Sequence, residues 1–98
     1  MFTRIVKMEF RQEHVFVFLK NFNKMKEKIR AFPGCEYLEL QQDRTNKCIF
    51  FTYSKWQREE DLEAYMKSDF FKEVWSNVKP LLSRKAEAWS VDTVHSLE

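Results

Sequence analysis

The chain has little that would name a reaction. Its 17 Lys and Arg stand against 15 Asp and Glu, a formal charge of +2 spread over 98 residues. The two signs are interspersed, so there is no basic stripe of the kind that tracks a nucleic-acid backbone. The small excess reads first as an ordinary solvated surface and second as a weak preference for an anionic ligand. No apolar run approaches a membrane span. The longest uninterrupted one, Val15 to Leu19, is far below the roughly 20 residues that a crossing helix needs. No signal peptide is visible, and the cytosol is the expected compartment. With two histidines, two cysteines and no C-x-x-C pair, the chain has too few ligands for a zinc site. Repeats, low-complexity segments and linkers are also missing, so residues 1–98 are read as one domain.

Aromatic residues are abundant instead: ten Phe, three Trp and three Tyr. Each such ring buries roughly 150–250 Å². That is more apolar material than one thin domain readily hides, and a chain of this size gains from self-association.

Phe2 to Phe10 alternates, with Phe2, Arg4, Val6, Met8 and Phe10 on one side and Thr3, Ile5, Lys7 and Glu9 on the other. This predicts a strand, with Arg4 the odd member of a mostly apolar face. From about Glu13 the period changes to three and four. Val15, Phe18, Phe22, Met25, Ile29 and Phe32 form the stripe of an amphipathic helix, which Phe16 and Leu19 are expected to widen. Such a stripe reads as core packing before it reads as a cofactor box. Pro33-Gly34 closes the helix.

Two strands follow, Cys35 to Gln42 and Lys47 to Lys55, around the turn-prone Asp43-Arg-Thr-Asn46. Centred on that turn, the register places Leu38 opposite Phe51 and Leu40 opposite Ile49 on an apolar side. Tyr37, Glu39, Phe50 and Thr52 then fall on a mixed side. The same register sets Cys35 opposite about Ser54 and Cys48 opposite about Gln41, too far apart for a disulfide, so both are expected to be free thiols. Arg58-Glu-Glu-Asp61 opens a second helix with its acids at the positive end of the dipole. Ser68-Asp69 breaks it, and Phe70, Phe71, Val74, Trp75 and Val78 continue it to near Pro80. Ala86 to Val94 reads as a last strand, with Trp89 and Val91 on one side and Ala86, Ala88 and Ser90 on the other.

The order β-α-β-β-α-β predicts an α+β, ferredoxin-like fold: a four-stranded antiparallel sheet with helices on a single face. The second sheet face is left bare, and Tyr37 and Phe50 on it predict a homodimer joined sheet to sheet by two-fold symmetry. The segment Trp56 to Trp75 brings Trp56, Tyr65 and Trp75 close behind a strand, which suggests an aromatic-lined pocket.

Several features taken together resemble the antibiotic biosynthesis monooxygenase superfamily. They are the N-terminal strand, the helix closed by F-P-G-C (Phe32 to Cys35), the E-L strand after it, a strand ending in Y-S-x-W (Tyr53 to Trp56), and a broken helix carrying S-D-x-F-K (Ser68 to Lys72). The resemblance implies a dimeric α/β barrel with a pocket between sheet and helices in each subunit. It also implies a cofactor-free oxygenase acting on a small aromatic quinol or polyphenol with molecular oxygen. Such chemistry needs a ring-shaped pocket, help in deprotonating the substrate and a donor for the developing anion. Haem-degrading relatives use an Asn on the first strand, a Trp on the second helical segment and an iron-ligating His ten residues later. Aligned through Ser68 to Lys72, those positions are Val6, Tyr65 and Trp75. Tryptophan has no imidazole lone pair for iron, so that route is not expected. Many quinol-oxidising relatives carry His at the position of Tyr65.

The candidate catalytic groups are Tyr65, as hydrogen-bond donor or acid/base, and His14, the one imidazole not near the chain end. Arg4, Val6, Trp56 and Trp75 are candidate substrate contacts. Beside each but Val6 stands a plainer reading: core aromatics for Tyr65 and Trp75, a helix-to-sheet anchor for Trp56, a salt bridge to a glutamate for Arg4 and a solvated surface residue for His14. A non-catalytic dimeric small-molecule-binding protein of the same fold is the alternative function. An RNA-binding domain of this topology is disfavoured, because Lys47 to Lys55 contains no glycine where the RNA-contacting motif would lie.

Overall fold

The computed structural model describes residues 1–98. The alternating N-terminal run forms β1 (Phe2–Glu9), and a 3-10 turn over Gln12–His14 leads into α1 (Val15–Arg30). Then come β2 (Cys35–Gln42), β3 (Ile49–Trp56), α2 (Glu59–Lys67) and α3 (Asp69–Val78). A 3-10 turn at Lys79–Leu81 leads to β4 (Glu87–Val91). The strands make one antiparallel sheet in the order β2-β3-β1-β4. This is the ferredoxin-like α+β fold that the element order predicts. No helix is long and apolar enough to cross a membrane.

The helices pack on the sheet face that carries the even-numbered residues of β1, as the alternation requires. Met8 and Phe10 join Phe18 of α1, Phe50 of β3 and Val78 of α3 in one buried cluster. Phe10 and Phe18 stack with centroids 4.1 Å apart. A second cluster unites Ile29, Cys35, Trp56, Leu62 and Tyr65. Within α1 the inward stripe is Phe18, Phe22, Met25 and Ile29. Phe16 and Leu19 do not widen it: Phe16 is 75% exposed and Leu19 39%. Phe16 lies two positions from Phe18, more than half a turn at 3.6 residues per turn, and so points away from the sheet.

Two small residues fix the corners. Gly34 has φ +89°, and a Cβ there would run into the Asp61 side chain at the start of α2. Its carbonyl accepts the Gln57 N–H at 2.8 Å. Glycine thus lets the corner between α1 and β2 press on the corner between β3 and α2. Ser68 breaks the second helical segment as expected. Its hydroxyl accepts the Phe71 N–H at 3.0 Å as the cap of α3 and donates to the Tyr65 carbonyl at 2.6 Å, serving an unsatisfied group at the end of each helix.

The β2–β3 register differs from the expectation. Leu38 faces Ser54 and Leu40 faces Thr52, not Phe51 and Ile49. The connection runs through residue 48 because side chains hold it open. Asp43 Oδ2 accepts the N–H groups of Thr45 and Asn46, and Asn46 Oδ1 accepts that of Cys48. Moving each partner by three residues, an odd number, turns every β3 side chain to the other face. Phe50 is therefore in the core at 2% exposure. Thr52 and Ser54 point to the helices, while Phe51 and Tyr53 lie on the open face. An irregularity between Cys35 and Tyr37 shortens the shift at the strand start, so that Cys35 pairs with Trp56, not with Ser54, and both cysteines are free. β4 also ends earlier than expected, at Val91, because β1 has almost run out where Thr3 faces Val91.

Ile5, Tyr37, Phe51, Tyr53, Trp89 and Val91 share the uncovered sheet face. Tyr37 and Tyr53 meet edge to face at 6.2 Å. Tyr37, Trp89 and Val91 are 41%, 43% and 40% exposed.

Candidate functional site

The two core clusters do not merge. Between them, under the helices, is a cavity of about 250 Å³ bounded by 19 residues, 16 of them apolar. Strand geometry explains its floor: Arg4, Val6 and Met8 of β1, Leu38 of β2, Thr52, Ser54 and Trp56 of β3, and Ala88 of β4 all point the same way. The small side chains Ala86 and Ala88 leave room at the β4 side. α2 and α3 provide the roof through Leu62, Tyr65, Met66, Phe71, Val74, Trp75 and Val78.

Its aromatic wall is a chain of rings. Trp56 lies 5.2 Å from Tyr65, centroid to centroid, tilted by 31°. Phe71 meets Tyr65 edge-on at 5.0 Å and stacks on Trp75 at 6.3 Å and 6°. Tyr65 and Trp75 therefore face one cavity from either side of Phe71, an arrangement made possible by the break at Ser68. Phe32 closes the back of Tyr65 at 5.2 Å.

Polar groups are few. Arg4, Thr52 and Ser54 are the three polar residues on the lining. Ser54 is already engaged, accepting the Trp56 indole N–H at 3.0 Å and donating to the Arg4 carbonyl at 3.4 Å. The Arg4 guanidinium donates to Ser90 Oγ at 3.0 Å and reaches Met66 Sδ at 3.8 Å. The two ion pairs of the chain are Arg58–Asp61 and Arg84–Glu9, so Arg4 has no carboxylate partner, unlike the plainer reading of it. Burial lowers its pKa from the ordinary arginine value, without bringing a guanidinium near neutrality. Burial, and secondarily the nearby Cys35, push the Tyr65 phenol well above its usual range. Tyr65 is thus a neutral donor at physiological pH and not a base.

Of the six residues singled out by sequence, Arg4, Val6, Trp56, Tyr65 and Trp75 all line this cavity. His14 does not. It ends the 3-10 turn and precedes α1, and its Nδ1 is buried without a hydrogen-bond partner. It is therefore not placed to take a proton from a ligand in the cavity. Sequence reasoning missed Thr52, Ser54 and Met66. The signal for the first two was the β3 register, which the open turn concealed. No cluster of three or more His, Cys, Asp or Glu side chains with metal-binding geometry occurs, and no imidazole lines the cavity to ligate a haem iron.

Known structures share this fold. An antibiotic biosynthesis monooxygenase of known structure shares 18% identity, with 97% of this chain and 100% of that chain covered at a TM-score of 0.89. A conserved protein from Methanosarcina mazei shares 24%, with 94% and 92% covered at a TM-score of 0.87. A Pseudomonas aeruginosa protein shares 19%, with 96% and 94% covered at 0.83. At these identities the likeness establishes fold alone. No curated protein matches the chain. The family assignment comes from residues 1–75, which match the antibiotic biosynthesis monooxygenase family and contain β1 through α2, the break at Ser68 and most of α3. The chain belongs to the antibiotic biosynthesis monooxygenase family.

Proposed function

We propose that the chain is a cofactor-independent monooxygenase acting on a small aromatic substrate of the quinol or polyphenol class, and that it works as a homodimer joined through the open sheet face. The observation that carries this reading is the ring-walled cavity with the unpaired cation of Arg4 on its lining. An electron-rich enolate can itself reduce dioxygen. The reacting carbon, a methylene in the keto tautomer, then becomes a carbonyl: CH₂ + O₂ gives C=O + H₂O. One oxygen atom enters the product, the other leaves as water, and the substrate supplies all four electrons. In this scheme Trp56, Tyr65 and Trp75 hold the ring. The neutral Tyr65 hydroxyl donates to a substrate oxygen, and Arg4 favours the anion from which oxidation proceeds. Val6 sets the depth of the floor.

The dimer rests on the aromatic face bearing Tyr37, Tyr53 and Trp89, a surface more apolar than a solvated sheet face needs to be. Oxygen uptake by metal-free protein against a panel of reduced quinols and polyphenols, with autoxidation subtracted, tests the activity. Saturable, protein-dependent uptake is expected, and none above background would overturn it. The second reading, a non-catalytic dimeric binding protein, is favoured by one observation: no carboxylate or imidazole lines the cavity to serve as a base.

A further inference from the structure

The cavity contains a cation but no group that can take a proton. Its lining has no Asp, Glu, His or Lys, and Tyr65 is held protonated by burial. Arg4 cannot serve as a base, because guanidinium stays charged in proteins. A substrate that had to be deprotonated inside this cavity would find no side chain there to take its proton. Arg4, by contrast, is arranged as an anion anchor. It is partly desolvated without a carboxylate to offset it, and a charge left so is costly unless a ligand pairs with it. Its protein partners are one hydroxyl and one thioether, at 3.0 and 3.8 Å, which leaves most of its five donors free. The bond to Ser90 is exposed, so the charge sits toward the solvent end of the cavity, with the aromatic wall deeper in.

We infer that the cavity takes a ring-bearing monoanion that has lost its proton before it binds, an acidic enol of the hydroxyquinone type, with its oxyanion on Arg4 and its rings against Trp56, Tyr65 and Trp75. This deepens the proposed function, and it rests on that reading only in taking the cavity as the ligand site. Within the quinol and polyphenol class, members that remain neutral at physiological pH bind less well than acidic ones because they leave the guanidinium unpaired. The volume of about 250 Å³ lies just under the roughly 300–1,000 Å³ of drug-sized sites, which favours two fused rings over four. Selecting a preformed anion also removes the first deprotonation, for which the site has no base; the second proton leaves with the departing oxygen as water.

The test is calorimetric titration at neutral pH with 2-hydroxy-1,4-naphthoquinone, an anion there, and its neutral isostere 2-amino-1,4-naphthoquinone. The wild-type protein is expected to bind the anion about tenfold to a hundredfold more tightly, the range of a charge-assisted hydrogen bond. Arg4→Met should bring the two probes to within about threefold of each other, with the loss falling on the anion. Arg4→Lys should retain part of the preference through its charge. Equal binding of both probes by wild type overturns the inference while leaving the cavity a ligand site, as does a preference that survives Arg4→Met. Failure of wild type to bind either probe overturns it together with the cavity reading. Anion-selective binding with no oxygen uptake sinks the oxygenase and supports the anion site.

Discussion

The Trp56 indole donates its N–H to Ser54 Oγ at 3.0 Å while its ring lies 5.2 Å from that of Tyr65. One hydroxyl thus fixes the orientation of a ring that is both core and cavity wall. Ser54 in turn is fixed by the Arg4 carbonyl at 3.4 Å, which ties the aromatic wall to the strand that carries the cation.

Ser54→Ala should leave the Trp56 N–H buried without a partner. A stability loss of about 1–3 kcal/mol is expected from an unsatisfied buried donor, read as a lower urea midpoint with a shift in tryptophan emission. Unchanged stability would show that the indole finds another acceptor and that Ser54 does not set its pose.

Tyr65→Phe and Tyr65→Ala separate ring from hydroxyl. The hydroxyl makes no hydrogen bond within the protein, whereas the ring touches Trp56, Phe32, Phe70 and Phe71. Tyr65→Phe should hold stability within about 1 kcal/mol, and Tyr65→Ala should lose about 3–5 kcal/mol, as for other buried aromatics. A fall in ligand affinity or turnover in the stable Phe variant would place the hydroxyl on the substrate.

The same phenol makes stability depend on alkaline pH. Its folded-state pKa is raised above the ordinary value of 10.0, chiefly by burial. Above that value the unfolded chain binds fewer protons than the native one, so stability falls as pH rises. The contribution is complete below the ordinary value and is lost as pH climbs toward the folded one. Urea midpoints measured on either side of it should drop more steeply for wild type than for Tyr65→Phe. Parallel slopes would mean that the phenol is not desolvated as described.

Gly34→Ala should destabilise the fold by about 1–2 kcal/mol from left-handed backbone alone, and by more because the new Cβ meets Asp61. Thermal denaturation reads this directly. A neutral effect would mean that the two corners are not in contact.

Trp89→Glu tests the dimer. Placed on the open face, where Trp89 is 43% exposed, the charge should convert a dimer into a monomer by light scattering without unfolding the subunit. A wild-type protein that is monomeric at micromolar concentration would remove the sheet-to-sheet assembly.

Much of this was legible in the sequence, for identifiable reasons. The strict alternation of Phe2 to Phe10 put Arg4 and Val6 on the face that forms the cavity floor. Ser68 before Asp69 marked the break that brings Tyr65 and Trp75 to one cavity. The hairpin was misread because Asp43 and Asn46 build a longer turn than composition suggests. Period-2 logic then assigned Phe50 and Phe51 to the wrong faces and hid Thr52 and Ser54. Phe16 looked like part of an apolar stripe because Val15 to Leu19 is apolar all round, so that run by itself could not show which side faces the sheet. His14 was singled out by chemistry alone, and its place at the start of α1 keeps it from the cavity.

The most direct measurement is turnover under ¹⁸O₂ by metal-free protein, with the product analysed by mass spectrometry. One labelled oxygen atom per product molecule is expected, formed at a protein-dependent, saturable rate with the second label in water. Unlabelled product, or hydrogen peroxide released with no oxygen incorporated, would contradict it.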